Sequence, residues 1–399
     1  MILKSIPNHN FVSNNTKLRH IIVVGTQREN SDAREGVASL SPKPKIHFLS
    51  TVSDQKRQLG TRKMNASLKR SLESISRGKG IRAVVSDIGE IPRLYPFELA
   101  AMAAKDVDPN TKFVLLTSEN RCTGINAGLQ EFVASRKFAD ISVLEKVDYV
   151  FPFEAGGNSF PLVSKLLEDH ENFRSDMEKV ILVVEDSPRD YGKLIKGLYR
   201  QNEDRARILL ARSLEEAECL AKACSDRLIG VIADIFFPSK GIMANGAENA
   251  WSIYNLVRAF DPRVPIVFQS EDKNVVEELT KDNRVFGLFK ESPSFYGRLQ
   301  EIINDYFGFG DFIFRTPAGI ELGRAQDLAS LCSLIDNRDK INDESLLYHA
   351  SNDHFSNWLW LHGYKDLSNK IKKISTTNAV LLRNLLLGYI REELNGNSY

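Results

Sequence analysis

Four cysteines in 399 residues are too few and too scattered to form a scaffold. Cys122, Cys219, Cys224 and Cys332 show neither paired nor metal-ligand spacing, and Cys219 and Cys224 share one helix-patterned stretch with apolar neighbours, as core thiols do. A reduced, cytoplasmic setting is the expectation. No apolar run reaches the roughly 18 residues that a membrane-spanning helix needs. The start, Met1-Ile2-Leu3-Lys4-Ser5, lacks the apolar core of a signal peptide. Net charge is only +1, so no overall field points to nucleic acid. The glycines form no phosphate-cradling GxxxxGK[ST] loop, and neither a GxSxG elbow nor an HExxH helix occurs. An enzyme with independent turnover is therefore not expected.

What is present is ordinary globular material, 42% apolar and 26% charged, long enough for two to four domains. Its centre is Lys179 to Leu299. Lys179 to Val184 is an unbroken apolar run rich in β-branched residues, as in a strand buried on both faces. It ends in Glu185-Asp186. Ser187 then reads as an N-cap and Pro188 as the first helical residue, with Asp190 favouring the positive helix end. Further strands follow at Arg207 to Ala211, Leu228 to Ala233 (ending in Asp234), Pro265 to Phe268 (running into Gln269-Ser270) and Val285 to Phe289 (ending in Lys290). A helix is expected between Leu214 and Cys224.

In a parallel α/β sheet the C-terminal strand ends share one edge, where ligands bind. Three carboxylates and a lysine therefore converge. Unpaired, the carboxylates repel and raise one another's pKa. A Mg²⁺ ion resolves this with hard oxygen ligands and leaves positions for a phosphoryl group. A lysine and a hydroxyl then balance the phosphoryl oxygens.

These residues resemble the receiver domain of two-component response regulators. Glu185-Asp186 match the acidic pair, Asp234 in Asp234-Ile235-Phe236-Phe237-Pro238 the phosphoacceptor, Ser270 the hydroxyl residue and Lys290 the lysine. The resemblance implies a Mg²⁺ site at Glu185, Asp186, Asp234 and the Phe236 backbone carbonyl, with Ser270 and Lys290 on the phosphoryl group. Two positions depart from the pattern. Gly287 stands where receivers often carry an aromatic residue, and the proline after Lys290 comes only at Pro293. The aromatic relay of the family is therefore not expected. Ser239 to Asn249, beside Asp234, is longer than the site requires; it reads equally as a gate and as a surface insertion.

The N-terminal half repeats the pattern in degraded form. A polar, Asn-rich arm (1–16) precedes a strand at His20 to Val24, a long loop (27–45), a strand at Ile46 to Leu49 and a basic helical stretch (55–77). Residues 1–80 hold 15 Lys and Arg against 5 Asp and Glu, either a solvated face or a docking surface for an acidic partner. Strands at Ile81 to Ser86, Lys112 to Leu116 and Val147 to Val150 end in Asp87, Thr117-Ser118 and Phe151. Gly25-Thr26 stand in place of the acidic pair and Phe151 in place of the lysine. The expected fold is thus α/β: tandem flavodoxin-like, doubly wound parallel sheets and a small, mostly helical C-terminal domain. Residues 17–172 form a pseudo-receiver, 173–308 a receiver and 309–399 an interaction module, with a boundary in the charged stretch Glu168 to Glu178.

The last segment predicts a strand–turn–strand from Phe312 to Leu322, then helices at Ala325 to Leu334, from Asp343, and at Thr377 to Leu394. The last helix is apolar on more than one face, so it is expected to pack on a neighbour, a second copy in a homodimer, or a partner. Phe307 to Phe314, Glu344 to Ala350 and His354 to Leu359 resemble a module that follows receivers in phosphoenolpyruvate-synthase-like proteins. Their catalytic region has no counterpart here, so only a regulatory or docking role carries over. His349, His354 and His362 lack the spacing that puts ligands on one helix face and read as packing or capping residues. Residues 309–399 carry 10 basic and 11 acidic side chains, without the basic stripe of a DNA reader. The resemblances imply a response regulator with a sensor histidine kinase or phosphotransfer protein as donor and a protein target, phosphoenolpyruvate-synthase-like or other. At most it would catalyse its own dephosphorylation. A non-phosphorylated adaptor and a DNA-binding regulator are the alternatives.

Overall fold

The computed structural model describes residues 20–25, 45–50, 81–87, 112–117, 148–152, 159–174, 177–202, 205–237, 246–279 and 285–396. The expected arm, the basic helical stretch, Thr26, Pro238 and 239–245 lie outside the described residues. Two compact units are present, Met1–Val163 and Ser164–Tyr399.

In the first unit, β1 (His20–Gly25), β2 (Lys45–Ser50), β3 (Ile81–Asp87), β4 (Lys112–Thr117) and β5 (Tyr149–Pro152) form a sheet in the order β2-β1-β3-β4-β5. Every pairing is parallel. Asp87 ends β3, Thr117 ends β4, and Phe151 lies inside β5, fully buried and in register with Leu116.

The second unit contains a sheet of β6 (Lys179–Val184), β7 (Ala206–Ala211), β8 (Leu228–Asp234), β9 (Ile266–Ser270) and β10 (Val285–Phe289), ordered β10-β9-β8-β6-β7. All of its pairings are parallel as well. Counted along the chain, this is the 2-1-3-4-5 order of doubly wound flavodoxin-like α/β folds. Every residue of β6 and β8 is buried, because helices cover both faces and leave no polar side for alternation. Those helices are α1 (Ser159–Asn172), α2 (Pro188–Asn202), α3 (Leu214–Ala223), α4 (Gly246–Phe260), α5 (Lys273–Leu279) and α6 (Phe295–Tyr306).

The division between the units falls within α1, whereas a boundary was expected in Glu168 to Glu178. The reason lies in the edge strand β7. A sheet edge leaves alternate N–H groups unpaired. Here the N–H of Ile208 donates to Asp169 Oδ2 at 2.9 Å and that of Leu210 to His170 Nε2 at 2.8 Å. Burial pushes the Asp169 carboxyl up, against the pull of the Ile208 N–H, Lys165, Tyr199 and Arg207. The last turns of α1 are thus tied to the second sheet.

The C-terminal part opens with a hairpin of β11 (Phe312–Arg315) and β12 (Glu321–Ala325), antiparallel as the strand–turn–strand reading implies. Its turn needs Gly319, whose φ of +86° suits glycine. Then come α7 (Leu328–Asp336), α8 (Asp343–Ser351), α9 (His354–Leu361), α10 (Lys365–Lys372) and α11 (Ala379–Gly396). Asp327 and Ser330 form a capping box that starts α7. Leu382, Leu386, Leu387 and Ile390 of α11 bury one face against α7, α8 and α10. Between them Arg383 is 2% exposed and donates to the carbonyls of Ile335 and Ile341 and to Asp343 Oδ1.

This helical part sits on the N-terminal edge of the second sheet. Lys179, the first residue of β6, donates to Asn357 Oδ1 at 2.6 Å. Arg263, just before β9, pairs with Asp353 at 2.8 Å. Trp360 and Lys365 both bind Glu178. Phe307 packs so tightly over Gly230 of β8 that a Cβ there would stand 2.3 Å from its ring.

Candidate acidic pocket

The opposite edge carries the polar strand ends. Val184 hands the chain to Glu185-Asp186, β8 ends in Asp234, β9 in Ser270, and Lys290 follows β10. Carboxylate oxygens of Glu185, Asp186 and Asp234 lie within 4.8 Å of one another. Lys290 Nζ lies 2.8 Å from Glu185 Oε2, 2.8 Å from Asp234 Oδ2 and 3.1 Å from Asp190 Oδ2. The backbone N–H of Lys290 donates to the Ser270 carbonyl at 2.8 Å, which fixes the two strand ends side by side. The N–H of Ile235 donates to Asp234 Oδ1 at 2.7 Å, and that of Phe236 also donates to the Asp234 carboxylate. The Phe236 side chain is about half exposed at the rim.

The set predicted from sequence is therefore assembled on one edge. Three members were not foreseen. Asp190, read only as a helix-end charge, is a third carboxylate on Lys290. Gln269 donates from Nε2 to Glu185 Oε2 at 2.9 Å, and its register partner is Asp234. Asn249, 4% exposed in α4, donates to the Phe237 carbonyl at 2.5 Å and so anchors the chain just past Asp234. A polar residue in an otherwise apolar strand end was the available signal for Gln269.

Charge in the pocket is unbalanced. Four carboxylates face one ammonium. Burial, and then the charge of Asp234, push Glu185 well above the usual carboxylate range, and Lys290 only partly opposes this. Asp186 is pushed up to about 6, first by burial and then by Asp234. Burial also raises Asp234, against Lys290 and the two N–H donors. Burial pulls Lys290 down, but Glu185, Asp234 and Asp190 outweigh it and keep the ammonium charged beyond the ordinary lysine range. This deficit of positive charge, on hard oxygen donors, fits a divalent cation such as Mg²⁺. Ser270 is fully buried, and its Oγ accepts from the N–H of Asp272 at 3.0 Å, which leaves its own O–H to donate elsewhere.

The histidines behave differently from their spacing. His349 and His354 meet, Nδ1 to Nδ1 at 2.9 Å, because the chain reverses between α8 and α9. The two histidines stand on separate helices, so spacing along one helix face does not govern them. His349 packs on Phe312, Phe314 and Phe355 and accepts the Arg315 N–H at Nε2, 2.8 Å away. Burial, aided by the charges of His354 and Arg315, holds it well below the usual histidine range.

No protein-family model matches the chain, and no curated protein matches it. Three solved structures were compared. UDP-GlcNAc 2-epimerase from Neisseria meningitidis bound to UDP-GlcNAc aligns at 12% identity over 72% of this chain and 91% of that one, with a TM-score of 0.22. The Methanocaldococcus jannaschii UDP-GlcNAc 2-epimerase gives 12%, 72%, 92% and 0.23. A ketoreductase domain from the bacillaene assembly line gives 12%, 66%, 72% and 0.19. Likenesses of this size carry no inference about this chain; the α/β class rests on its own strand order. Among the described residues, no helix is long and apolar enough to cross a membrane.

Proposed function

We propose that the chain is a response regulator, switched by transfer of a phosphoryl group to Asp234. The observation that carries this is Lys290 held between Asp234 and Glu185 within a three-carboxylate cluster, at the C-terminal edge of a 2-1-3-4-5 parallel sheet. In this reading the chain is a tandem of receiver-like domains, 17–172 degraded and 173–308 competent, followed by an interaction module at 309–399. Mg²⁺ would be held by Glu185, Asp186, Asp234 and the Phe236 carbonyl and would neutralise phosphoryl oxygens. An Asp234 oxygen forms the new bond to phosphorus as the bond from phosphorus to the donor's leaving group breaks, and that group departs with the electron pair. Lys290 exchanges carboxylate contacts for a phosphoryl oxygen, and the Ser270 hydroxyl donates to another. The donor is a sensor histidine kinase or phosphotransfer protein. The output is a protein contact, with a second copy or with a target such as a phosphoenolpyruvate-synthase-like enzyme. The test is incubation with acetyl phosphate and Mg²⁺, read by intact mass. One added phosphoryl group is expected, absent in Asp234→Asn. No gain, or an equal gain in the variant, refutes the reading and leaves a non-phosphorylated adaptor.

A further inference from the structure

The second unit holds a partly open cavity of about 460 Å³ far from the acidic pocket, between the N-terminal edge of the second sheet and the helical part. That volume is the size of a small-metabolite site. Its wall is mixed. Phe260, Phe286, Phe312 and Trp358 supply apolar and aromatic surface, and charged groups stand among them.

Those charges can be sorted by partner: of the wall's carboxylates, Asp261 and Asp353 pair with Arg263, Asp305 with Arg315 and Asp226 with Arg227, and Asp311 stands on the wall as well. Arg263 is spoken for, with Nε and Nη2 on Asp261 at 2.7 Å and Nη1 on Asp353 at 2.8 Å. Arg315 bonds Asp305 and lies over the Tyr306 ring. Lys179 is different. It is 6% exposed, and its ammonium bonds the neutral Asn357 amide oxygen at 2.6 Å and faces the Trp360 ring at 5.8 Å. Among the described residues no carboxylate lies within ion-pair distance of it, and Asp353 and Asp226 act on it only from farther away. Lys372 lines the same wall and reaches only the Asp226 carbonyl, at 3.5 Å. Lys179 and the exposed Lys372, neither of them in an ion pair among the described residues, thus both line a partly aromatic cavity. A buried charge left uncompensated is costly unless a ligand supplies the counter-charge. Burial, and then the charge of Lys372, pull Lys179 down to about 8, against the opposing but longer-range charges of Asp353 and Asp226.

We propose that this cavity binds a small organic anion: a carboxylate or phosphate seated between Lys179 and Lys372, on an aromatic or otherwise flat body that lies along the ring-lined wall. Lys179 supplies the ammonium and Asn357 fixes its position. The cavity uses no residue of the acidic pocket, so the proposal is independent of the reading given above.

Benzoate, phenyl phosphate, inorganic phosphate and the neutral isostere benzamide are added in turn to the full chain at millimolar concentration. Binding is read by ligand-observed NMR and by thermal shift. Saturable binding of benzoate or phenyl phosphate, with benzamide silent, is expected. Binding to inorganic phosphate alone would show that the ring-lined wall plays no part and would overturn the proposal. Lys179→Gln, which keeps a hydrogen-bonding side chain, should weaken the aromatic anions at least tenfold. Lys372→Ala, a change at an exposed helix position, should weaken them several-fold without loss of folding. Failure of both aromatic anions to bind, or affinities unchanged in both variants, refutes the proposal.

Discussion

Replacing Asp186 by asparagine should stabilise the metal-free protein, although it removes a residue of the pocket. Asp186 titrates near 6 in the fold, against 3.8 for an ordinary aspartate, because burial and Asp234 both disfavour its charge. A raised carboxyl pKa means that the folded state holds the proton more tightly. Stability is therefore full below about 4 and is lost as pH rises through about 6. At about 1.4 kcal/mol per pH unit the ceiling is about 3 kcal/mol. Asp186 is only partly buried, and solvent screening brings the expected gain to about 1–2 kcal/mol. In a unit of this size each kcal/mol moves Tm by about 2–4 °C. Differential scanning calorimetry in EDTA at pH 7.5 should show Asp186→Asn melting about 2–8 °C above wild type, with the gap narrowing at pH 5. Added Mg²⁺ should then reverse the order, because ligand binding stabilises only the chain that can bind. If the variant melts at or below wild type in EDTA, the carboxylates do not repel as described. If Mg²⁺ raises both chains equally, Asp186 is not a ligand.

Three further outcomes follow from the same geometry. Lys290→Met removes the cation that faces the buried Glu185 and should cost about 3–5 kcal/mol at neutral pH in urea unfolding, with less loss as Glu185 protonates in acid. Gly230→Ala drives a methyl group into the Phe307 ring and should cost about 1–3 kcal/mol, with faster hydrogen exchange at residues 307–312; unchanged exchange would mean that the ring moves aside freely. Beryllofluoride with Mg²⁺ should change amide protection in residues 309–396 of the full chain but not of Asp234→Asn, and identical protection in both states would mean that the switch does not run through that part.

The strands of the second sheet were legible almost residue by residue. Lys179–Val184 and Val285–Phe289 fall where the apolar runs place them, since a strand buried on both faces has no other pattern. The pocket was legible because strand topology alone brings strand ends together. What pairwise spacing could not show depends on contacts between distant segments. Asp190 is 100 positions from Lys290, and Gln269 is 84 from Glu185. The meeting of His349 with His354 depends on a reversal at Asp353, whose φ of 55° is one that aspartate tolerates better than most residues. The seating of the helical part on the sheet had no signal in the sequence either. It packs on the edge away from the loops that follow β8 and β9. Six residues of β6, at about 3.3 Å each, put roughly 20 Å between Lys179 and Glu185.

The seating of Phe307 over Gly230 decides how the second unit can be divided. A polypeptide stopped at Tyr306 would retain all five strands and every side chain of the acidic pocket. It would also carry a vacancy the size of a phenyl ring beside the central strand, and vacancies of that kind cost about 3–5 kcal/mol. The sheet has in effect lent one of its own side-chain positions to the connector that leads away from it. A break before Phe307 therefore injures the sheet left behind, and a shortened chain that keeps the sheet whole must end beyond Phe307.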